Sequence, residues 1–188
     1  MSQSSDPVWG IHGGRPRGQS KDVHRRLEDL TDRLFKDGFI AIGWPETGAL
    51  TELPGERDAF RSKVAAIYGP DAPSRSVGAD AGMLFRFVHE MQIGDLIVYR
   101  SRVDGFIHVG RVVGPYVYDP SINLEYPHLR SVEWLGEFRR EEFTQEALRS
   151  LRAQRSLFQI RAGVDEFRVA VRELLSSGDH NIATSSPS

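Results

Sequence analysis

The sequence contains no cysteine, and it has only three lysines against 21 arginines. The absence of cysteine excludes disulfide bonds and thiolate metal sites, and it fits the reducing cytoplasm, where we expect the chain to be located. None of the three lysines follows an acidic residue at a distance of two positions, so the (D/E)-x-K signature of metal-dependent nucleases is missing. The arginine bias fits phosphate binding, and it also fits the codon usage of a GC-rich genome.

Long apolar runs and several catalytic motifs are missing as well. No run approaches the roughly 20 apolar residues that cross a bilayer, and the first residues lack the pattern of a signal peptide, so we expect no membrane partner. The sequence has no Gly-Lys-Ser/Thr loop, no Gly-x-Ser-x-Gly elbow and no His-Glu-x-x-His helix. Its six histidines are spread singly, without metal-ligand spacing. We therefore expect no catalytic residue, no metal and no cofactor.

What is present is the composition of an ordinary soluble domain, with 39% hydrophobic and 27% charged residues in a chain of 188. The sequence predicts a single domain over residues 8–175. We expect a disordered N-terminus over residues 1–7 and a polar tail or linker over residues 176–188.

Hydrophobic periodicity and turn residues predict a mixed order of elements. Strands are predicted over residues 8–12, 39–42, 96–100, 106–113, 128–135 and 156–160, and a short strand or a bend over residues 115–118. Helices are predicted over residues 23–35, 56–68, 79–91, 141–152 and 164–175. Strands that cluster after two early helices indicate an α+β fold around a curved sheet or a small β-barrel.

Trp44 is the most informative single residue, because it follows a short apolar strand and precedes Pro45. Gly43 frees the backbone on one side of the indole, and Pro45 prevents the strand from continuing on the other. A tryptophan held at a rigid strand end can stack on a flat ligand such as a nucleobase. The alternative is a core tryptophan covered by a loop.

Five segments in order carry a resemblance to a known family: VWGIHGG (8–14), FIAIGWPE (39–46), FRFVHEMQIGDLIVY (85–99), GRVVGPYVYD (110–119) and YPHLRSVEW (126–134). Together they span about residues 8–160. The chain resembles the EVE-like members of the PUA superfamily, relatives of the YTH modified-base readers. It is similar in particular to the reader domain at the N-terminus of Mrr-like, modification-dependent restriction proteins.

The resemblance implies a PUA-like (EVE/YTH-like) barrel that takes a flipped base into an aromatic cage. Trp44 falls on a cage tryptophan, and the end of the first strand would line the pocket. The residues implied in the pocket are Trp44, Ile11, His12 and Gly13, with Trp9, Tyr116, Tyr118 and Tyr126 as further candidates. Basic residues near the pocket and at a predicted hairpin tip would contact the nucleic-acid backbone: Arg15, Arg17, Lys21, Arg25, Arg100, Ser101 and Arg102.

The expected function is a non-catalytic module that binds double-stranded DNA and recognises a modified base by base flipping. The restriction-system resemblance puts 5-methylcytosine first and implies a fused or partner nuclease directed to modified DNA. N6-methyladenine and 5-hydroxymethylcytosine remain open as the modification. The alternatives are a reader of modified RNA, a sensor of a free modified nucleotide, and an enzyme such as a nuclease or glycosylase.

Overall fold

The computed structural model describes residues 6–12, 30, 32–153 and 155–182 of the chain. The described strands form one six-stranded sheet. Its strands are β1 (Val8–Ile11), β2 (Phe39–Ile42), β3 (Leu96–Arg100), β4 (Ile107–Tyr118), β5 (His128–Phe138) and β6 (Leu157–Ile160). The predicted strands at 39–42 and 96–100 are confirmed, and those predicted at 106–113 and 115–118 are one continuous strand, β4.

The sheet is mixed and open. Its strand order is β2-β5-β4-β3-β1-β6, with β1 parallel to β3 and every other neighbouring pair antiparallel. The predicted α+β class with a sheet flanked by helices is therefore confirmed. The alternative of a small closed barrel is wrong for the described strands, because β2 and β6 each have one hydrogen-bonded neighbour and do not pair with each other.

Strands β4 and β5 form the longest pair, and their pairing is irregular. Their register shifts between Val109 and Gly110 and again between Val112 and Tyr116. The first shift depends on a close approach at Gly110, where an added Cβ would lie 2.5 Å from Cγ1 of Val132. Bulges of this kind bend a strand and redirect its side chains, so the two halves of β4 face different neighbours.

Helices cover the sheet. They are α1 (described at residues 30 and 32–37), α2 (Arg57–Tyr68), α3 (Ser74–Phe85), α4 (Gln145–Ser150) and α5 (Val164–Ile182). The helix predicted over 56–68 is confirmed. The one predicted over 79–91 begins earlier, after Pro73, and a π-helical turn (Arg86–Glu90) follows it.

Two further predictions about helices need correction. The helix predicted over 141–152 is divided into a 3-10 turn (Arg140–Glu142) and α4, because buried Phe143 separates them and the Thr144 side chain caps α4. The predicted polar tail begins too early, because α5 continues to Ile182. Serine and other polar residues carry only a small helix-propensity penalty, so a polar composition does not by itself end a helix.

The core consists of two hydrophobic clusters. One includes Trp9, strand β2, Leu84 and Phe87, and the other includes Val8, Val98 and Phe167. Neighbouring residues of β1 thus belong to different clusters, which explains why the whole strand is buried. No helix within the described ranges is long and apolar enough to cross a membrane.

Candidate nucleic-acid interface

The backbone of Trp44 is unusual. Its φ of 66° and ψ of 52° lie in the left-handed region, and no other non-glycine residue in the described part of the chain has a positive φ. The left-handed conformation costs a side-chain-bearing residue about 1–2 kcal/mol. The proline that follows favours an extended conformation instead. Backbone strain of this kind persists only where surrounding contacts impose it, and it clusters at functional sites.

The contacts that impose this conformation converge on the carbonyl oxygen of Trp44. Thr47 donates to it from its backbone N–H at 3.1 Å and from its hydroxyl at 2.8 Å. His128, which is fully buried at the start of β5, donates to it from Nε2 at 3.1 Å. Through His128, strand β5 therefore holds the loop that follows β2.

The protonation of His128 follows from its partners. Nε2 lies 3.1 Å from the Trp44 carbonyl oxygen, which only accepts, and 3.0 Å from the Thr47 hydroxyl oxygen. With the proton on Nε2, Nδ1 accepts from the Tyr116 hydroxyl at 2.7 Å. The Tyr116 oxygen in turn accepts from the Leu50 N–H at 3.2 Å. Burial lowers the pKa of His128 and raises the pKa of Tyr116 to about 12, so both groups are neutral near pH 7.

The ring of Trp44 is half-buried and packs against the first core cluster. Its indole N–H donates to the Tyr68 hydroxyl at 3.0 Å, and that hydroxyl donates to Oδ2 of Asp80 at 2.5 Å. Among the described aromatic rings, none is in a ring–ring contact with Trp44. The indole is thus held at its edge by a hydrogen bond, and no aromatic ring of the described residues stacks on its faces.

Three of the predicted pocket residues belong to the core instead. Trp9 is 2% exposed and donates from its indole nitrogen to Oδ2 of Asp95 at 2.7 Å. Ile11 is equally buried, in the same cluster. Tyr116 is 8% exposed and its hydroxyl is fully engaged, so it positions Trp44 through His128 and is not a free cage wall.

Tyr118 and Tyr126 keep their place as candidates near the indole. Both are half-buried and pack on the same core cluster as Trp44. A Cβ added at Gly43 would lie 4.0 Å from ring carbons of Tyr126, so this tyrosine lies beside the residue that precedes the indole. Tyr118 lies next to His128, with ring centroids 5.3 Å apart.

His12 is not joined to Trp44 by any hydrogen bond or ring contact within the described residues. Ile11, the residue before His12, is at the level of the C-terminal end of β5, because the pairing runs from Ile11 through β3 and β4 to Glu137. Ile42, close to Trp44, pairs with His128 at the N-terminal end of β5. The His12 ring donates from Nε2 to the Ala153 carbonyl at 2.8 Å. The remaining predicted contacts, Gly13, Arg15, Arg17, Lys21 and Arg25, lie outside the described residues.

The same register gathers arginines at the C-terminal end of β5. Arg100 is the last residue of β3 and pairs with Ile107 of β4, which in turn pairs with Phe138 near the end of β5. The loop before β6 lies at the same end of the sheet, because β6 begins where it pairs with the end of β1. Burial lowers the pKa of Arg100, and so do the charges of Arg140, Arg102 and Arg152. We call these four residues the arginine end. None of them is in a salt bridge with a described residue.

Ser101 plays a different part from the predicted one. It is 3% exposed, and its hydroxyl oxygen accepts from the backbone N–H groups of Val103 and Asp104 at 3.3 Å each. It therefore stabilises the hairpin turn, and its burial keeps it from reaching a nucleic-acid backbone.

Sequence reasoning missed the residues that hold Trp44, which are Thr47, Tyr68, Asp80 and His128. Their contacts join positions from 3 to 84 residues apart, so no periodic pattern marks them. Only the Trp-Pro pair at the end of a strand signals that the backbone there is constrained.

These features define an α+β domain with one open mixed sheet, a constrained tryptophan beside one end of β5 and a group of arginines beside the other. The chain belongs to the family described as Domain of unknown function (DUF8426), whose model matches residues 22–161, about three quarters of its length. The comparison with curated proteins and the comparison with solved structures each found no significant match.

Proposed function

We propose that this protein is a non-catalytic module that binds DNA and holds a flipped, modified base against Trp44. The observation that carries the proposal is the left-handed backbone of Trp44, imposed by a buried network on a half-buried indole. A fixed aromatic plane binds a base at low entropic cost, because the side chain is ordered before the ligand arrives.

The energetics of a base reader fit this arrangement. Extracting a base from a duplex costs a few kcal/mol. Stacking on one aromatic ring returns about 1–3 kcal/mol, and phosphate contacts supply the remainder. In this proposal the arginine end provides phosphate contacts, and Tyr118 or Tyr126 forms a second wall beside the base.

The identity of the base and of the parent system rests on the resemblance to EVE-like members of the PUA superfamily. That resemblance favours 5-methylcytosine and a fused or partner restriction nuclease that the module directs to modified DNA. Burying one methyl group adds roughly 0.8 kcal/mol, and pocket discrimination of such a group reaches about 1–3 kcal/mol. We therefore expect a preference for the methylated duplex of about tenfold to a hundredfold.

Fluorescence anisotropy with four duplexes of one sequence tests the proposal. The duplexes carry cytosine, 5-methylcytosine, 5-hydroxymethylcytosine or N6-methyladenine at one position. We expect tighter binding to one modified duplex, and loss of that preference in Trp44→Ala. Trp44→Phe should keep part of the preference, because a smaller ring still stacks. Trp134→Phe is the matched control, because Trp134 lies in the middle of β5 and its indole N–H donates to the Leu34 carbonyl of α1, away from Trp44.

Equal and weak binding to all four duplexes, with no effect of Trp44→Ala, would contradict the proposal. Tighter binding to methylated RNA of the same sequence would replace the DNA partner by RNA. Saturable binding of a free modified nucleoside, at the affinity of the full duplex, would indicate a sensor instead of a strand reader.

A further inference from the structure

A carboxylate lies close to the indole of Trp44, and it is joined to the indole only through Tyr68. The Tyr68 oxygen alone satisfies the indole N–H at 3.0 Å, and Asp80 then accepts from the Tyr68 hydroxyl through Oδ2. Asp80 is half-buried on α3 and forms no ion pair with a described residue. Within the described residues, its Oδ1 has no hydrogen-bond partner.

The position of Asp80 relative to the ring is set by two hydrogen bonds in series, from the indole N–H to Tyr68 and from Tyr68 to Asp80. Tyr68 ends α2, and Asp80 lies in the second turn of α3, so two packed helices hold the carboxylate at the edge of the indole. A base stacked on a face of Trp44 presents its own edge groups in a plane parallel to the indole. The free carboxylate oxygen is then available to such an edge group.

An ionised carboxylate only accepts hydrogen bonds. The exocyclic amino groups of cytosine and adenine donate, whereas the corresponding groups of thymine and uracil are carbonyl oxygens that also only accept. A carboxylate at this point therefore attracts an amino-bearing base and repels a base with a carbonyl in the same place. Methylation at C5 of cytosine leaves this distinction unchanged.

On these grounds we propose that Asp80 selects a base with an exocyclic amino group for the face of Trp44. The inference rests on the proposed function, and it adds the chemical class of base that the site accepts. Asp80 contacts the base in this proposal, and Tyr68 positions its carboxylate.

The test compares two bases that share the C5 methyl group and differ at position 4, namely 5-methylcytosine and thymine. Single-stranded oligonucleotides of one sequence remove any difference in base pairing, and anisotropy measures both affinities. We expect the wild-type protein to bind the 5-methylcytosine strand about tenfold more tightly, as for one good hydrogen-bonded contact to a base edge.

Asp80→Asn should reduce the 5-methylcytosine to thymine ratio towards one, because an amide both donates and accepts. Asp80→Glu should keep a ratio above one, because it retains a carboxylate. Asp58→Asn on α2 is the matched control for the change in net charge, since it removes an exposed carboxylate elsewhere. It should raise both affinities alike or leave them unchanged.

The outcomes separate this inference from the proposed function. If Trp44→Ala abolishes binding while Asp80→Asn leaves the ratio intact, the role of Asp80 is refuted and the proposed function stands. If Trp44→Ala leaves all affinities unchanged, the proposed function fails and the inference fails with it. A urea unfolding curve for each variant shows that a lost ratio does not reflect a lost fold.

Discussion

At the scale of single residues, the left-handed backbone of Trp44 should lower the free energy of unfolding by a measurable amount. Glycine adopts the left-handed region without a steric penalty, whereas alanine at φ 66° has the same penalty as tryptophan. We therefore predict that Trp44→Gly is more stable than Trp44→Ala by about 1 kcal/mol. Urea unfolding of the two variants measures the difference.

Arg61 provides the control for this comparison, since it is exposed in the middle of α2. There the order should be reversed, because glycine in a helix interior is about 1 kcal/mol less stable than alanine. If glycine is also the less stable substitution at position 44, the backbone of Trp44 is not strained in solution.

A second prediction at this scale concerns pH. Burial lowers the pKa of His128 and of His12 below the ordinary value of 6.5. Below pH 6.5 the unfolded chain then binds more protons than the folded chain, so the free energy of unfolding falls as the pH falls. Each histidine contributes at most about 1.4 kcal/mol per pH unit.

Urea unfolding between pH 7.5 and 5.5 measures this dependence, in a range above the titration of ordinary carboxylates. His12→Gln keeps a side-chain donor for the Ala153 carbonyl and should remove only its own share of the dependence. If the free energy of unfolding of the His12→Gln variant no longer depends on pH in this range, His128 is not a buried neutral group.

The position of Trp44 could be predicted from the sequence, but its conformation could not. The apolar run at 39–42, then Gly43 and Pro45, predicted a strand that ends at a constrained residue, and the structure has that strand. The left-handed backbone depends on a hydrogen bond from His128, 84 positions away along the chain. Tyr116 was predicted as a cage wall from the family resemblance alone, whereas its hydroxyl contacts His128 in the core.

At the scale of elements, the bend in β4 and β5 depends on Gly110. An added Cβ there would lie 2.5 Å from Cγ1 of Val132 and 3.0 Å from the Glu133 carbonyl oxygen. We predict that Gly110→Ala lowers the free energy of unfolding by about 1–3 kcal/mol, because the backbone must shift to admit the methyl group.

Gly78→Ala is the matched substitution in open space. Gly78 lies within α3, and no described atom is within 4 Å of an added Cβ. Alanine should raise the free energy of unfolding there by up to about 1 kcal/mol, because it favours the helix. Thermal unfolding of both variants would contradict this account of the bend if the two substitutions changed stability in the same direction.

Strands were easier to predict than the ends of helices. Short apolar runs that begin just after a glycine turn marked β2 and β3 at their observed bounds. The continuation of α5 to Ile182 was missed, because serine-rich sequence is typical of tails and helix propensity alone is a weak guide. Local composition does not reveal that those residues continue a helix whose first turns place Phe167 and Val171 in the core.

At the scale of the whole molecule, the arginine end should govern the salt dependence of DNA binding. Each phosphate that an arginine neutralises releases counterions and adds about 0.9 to the slope of log affinity against log salt. Arg102 and Arg152 are exposed, so their removal should not disturb the core. We predict that Arg102→Ala and Arg152→Ala each reduce the slope by about one, equally for modified and unmodified duplexes.

Arg33→Ala is the control, because Arg33 already pairs with Asp37 on α1. For this variant, the slope of log affinity against log salt should match that of the wild-type protein. Unchanged slopes in both arginine-end variants would remove this surface from the interface and leave its charge without a role in DNA binding.

The sequence predicted the arrangement of the whole molecule less well than it predicted single residues or elements. The sequence identified Arg100 and Arg102 as a basic hairpin, but it did not bring Arg140 and Arg152 to the same place. That grouping follows from the register of β3, β4, β5 and β6, which is set by long-range pairing and turn geometry. For the same reason the sequence placed the end of β1 beside Trp44, whereas their strands register with opposite ends of β5.

The central claim is that a base stacks on Trp44, and tryptophan fluorescence tests it most directly. The wild-type protein and Trp44→Phe are titrated with a duplex that carries 5-methylcytosine, while anisotropy of the same samples reports binding. We predict saturable quenching in the wild-type protein and none in Trp44→Phe, which still binds. Binding of the wild-type protein without quenching, or equal quenching in both proteins, would contradict the claim.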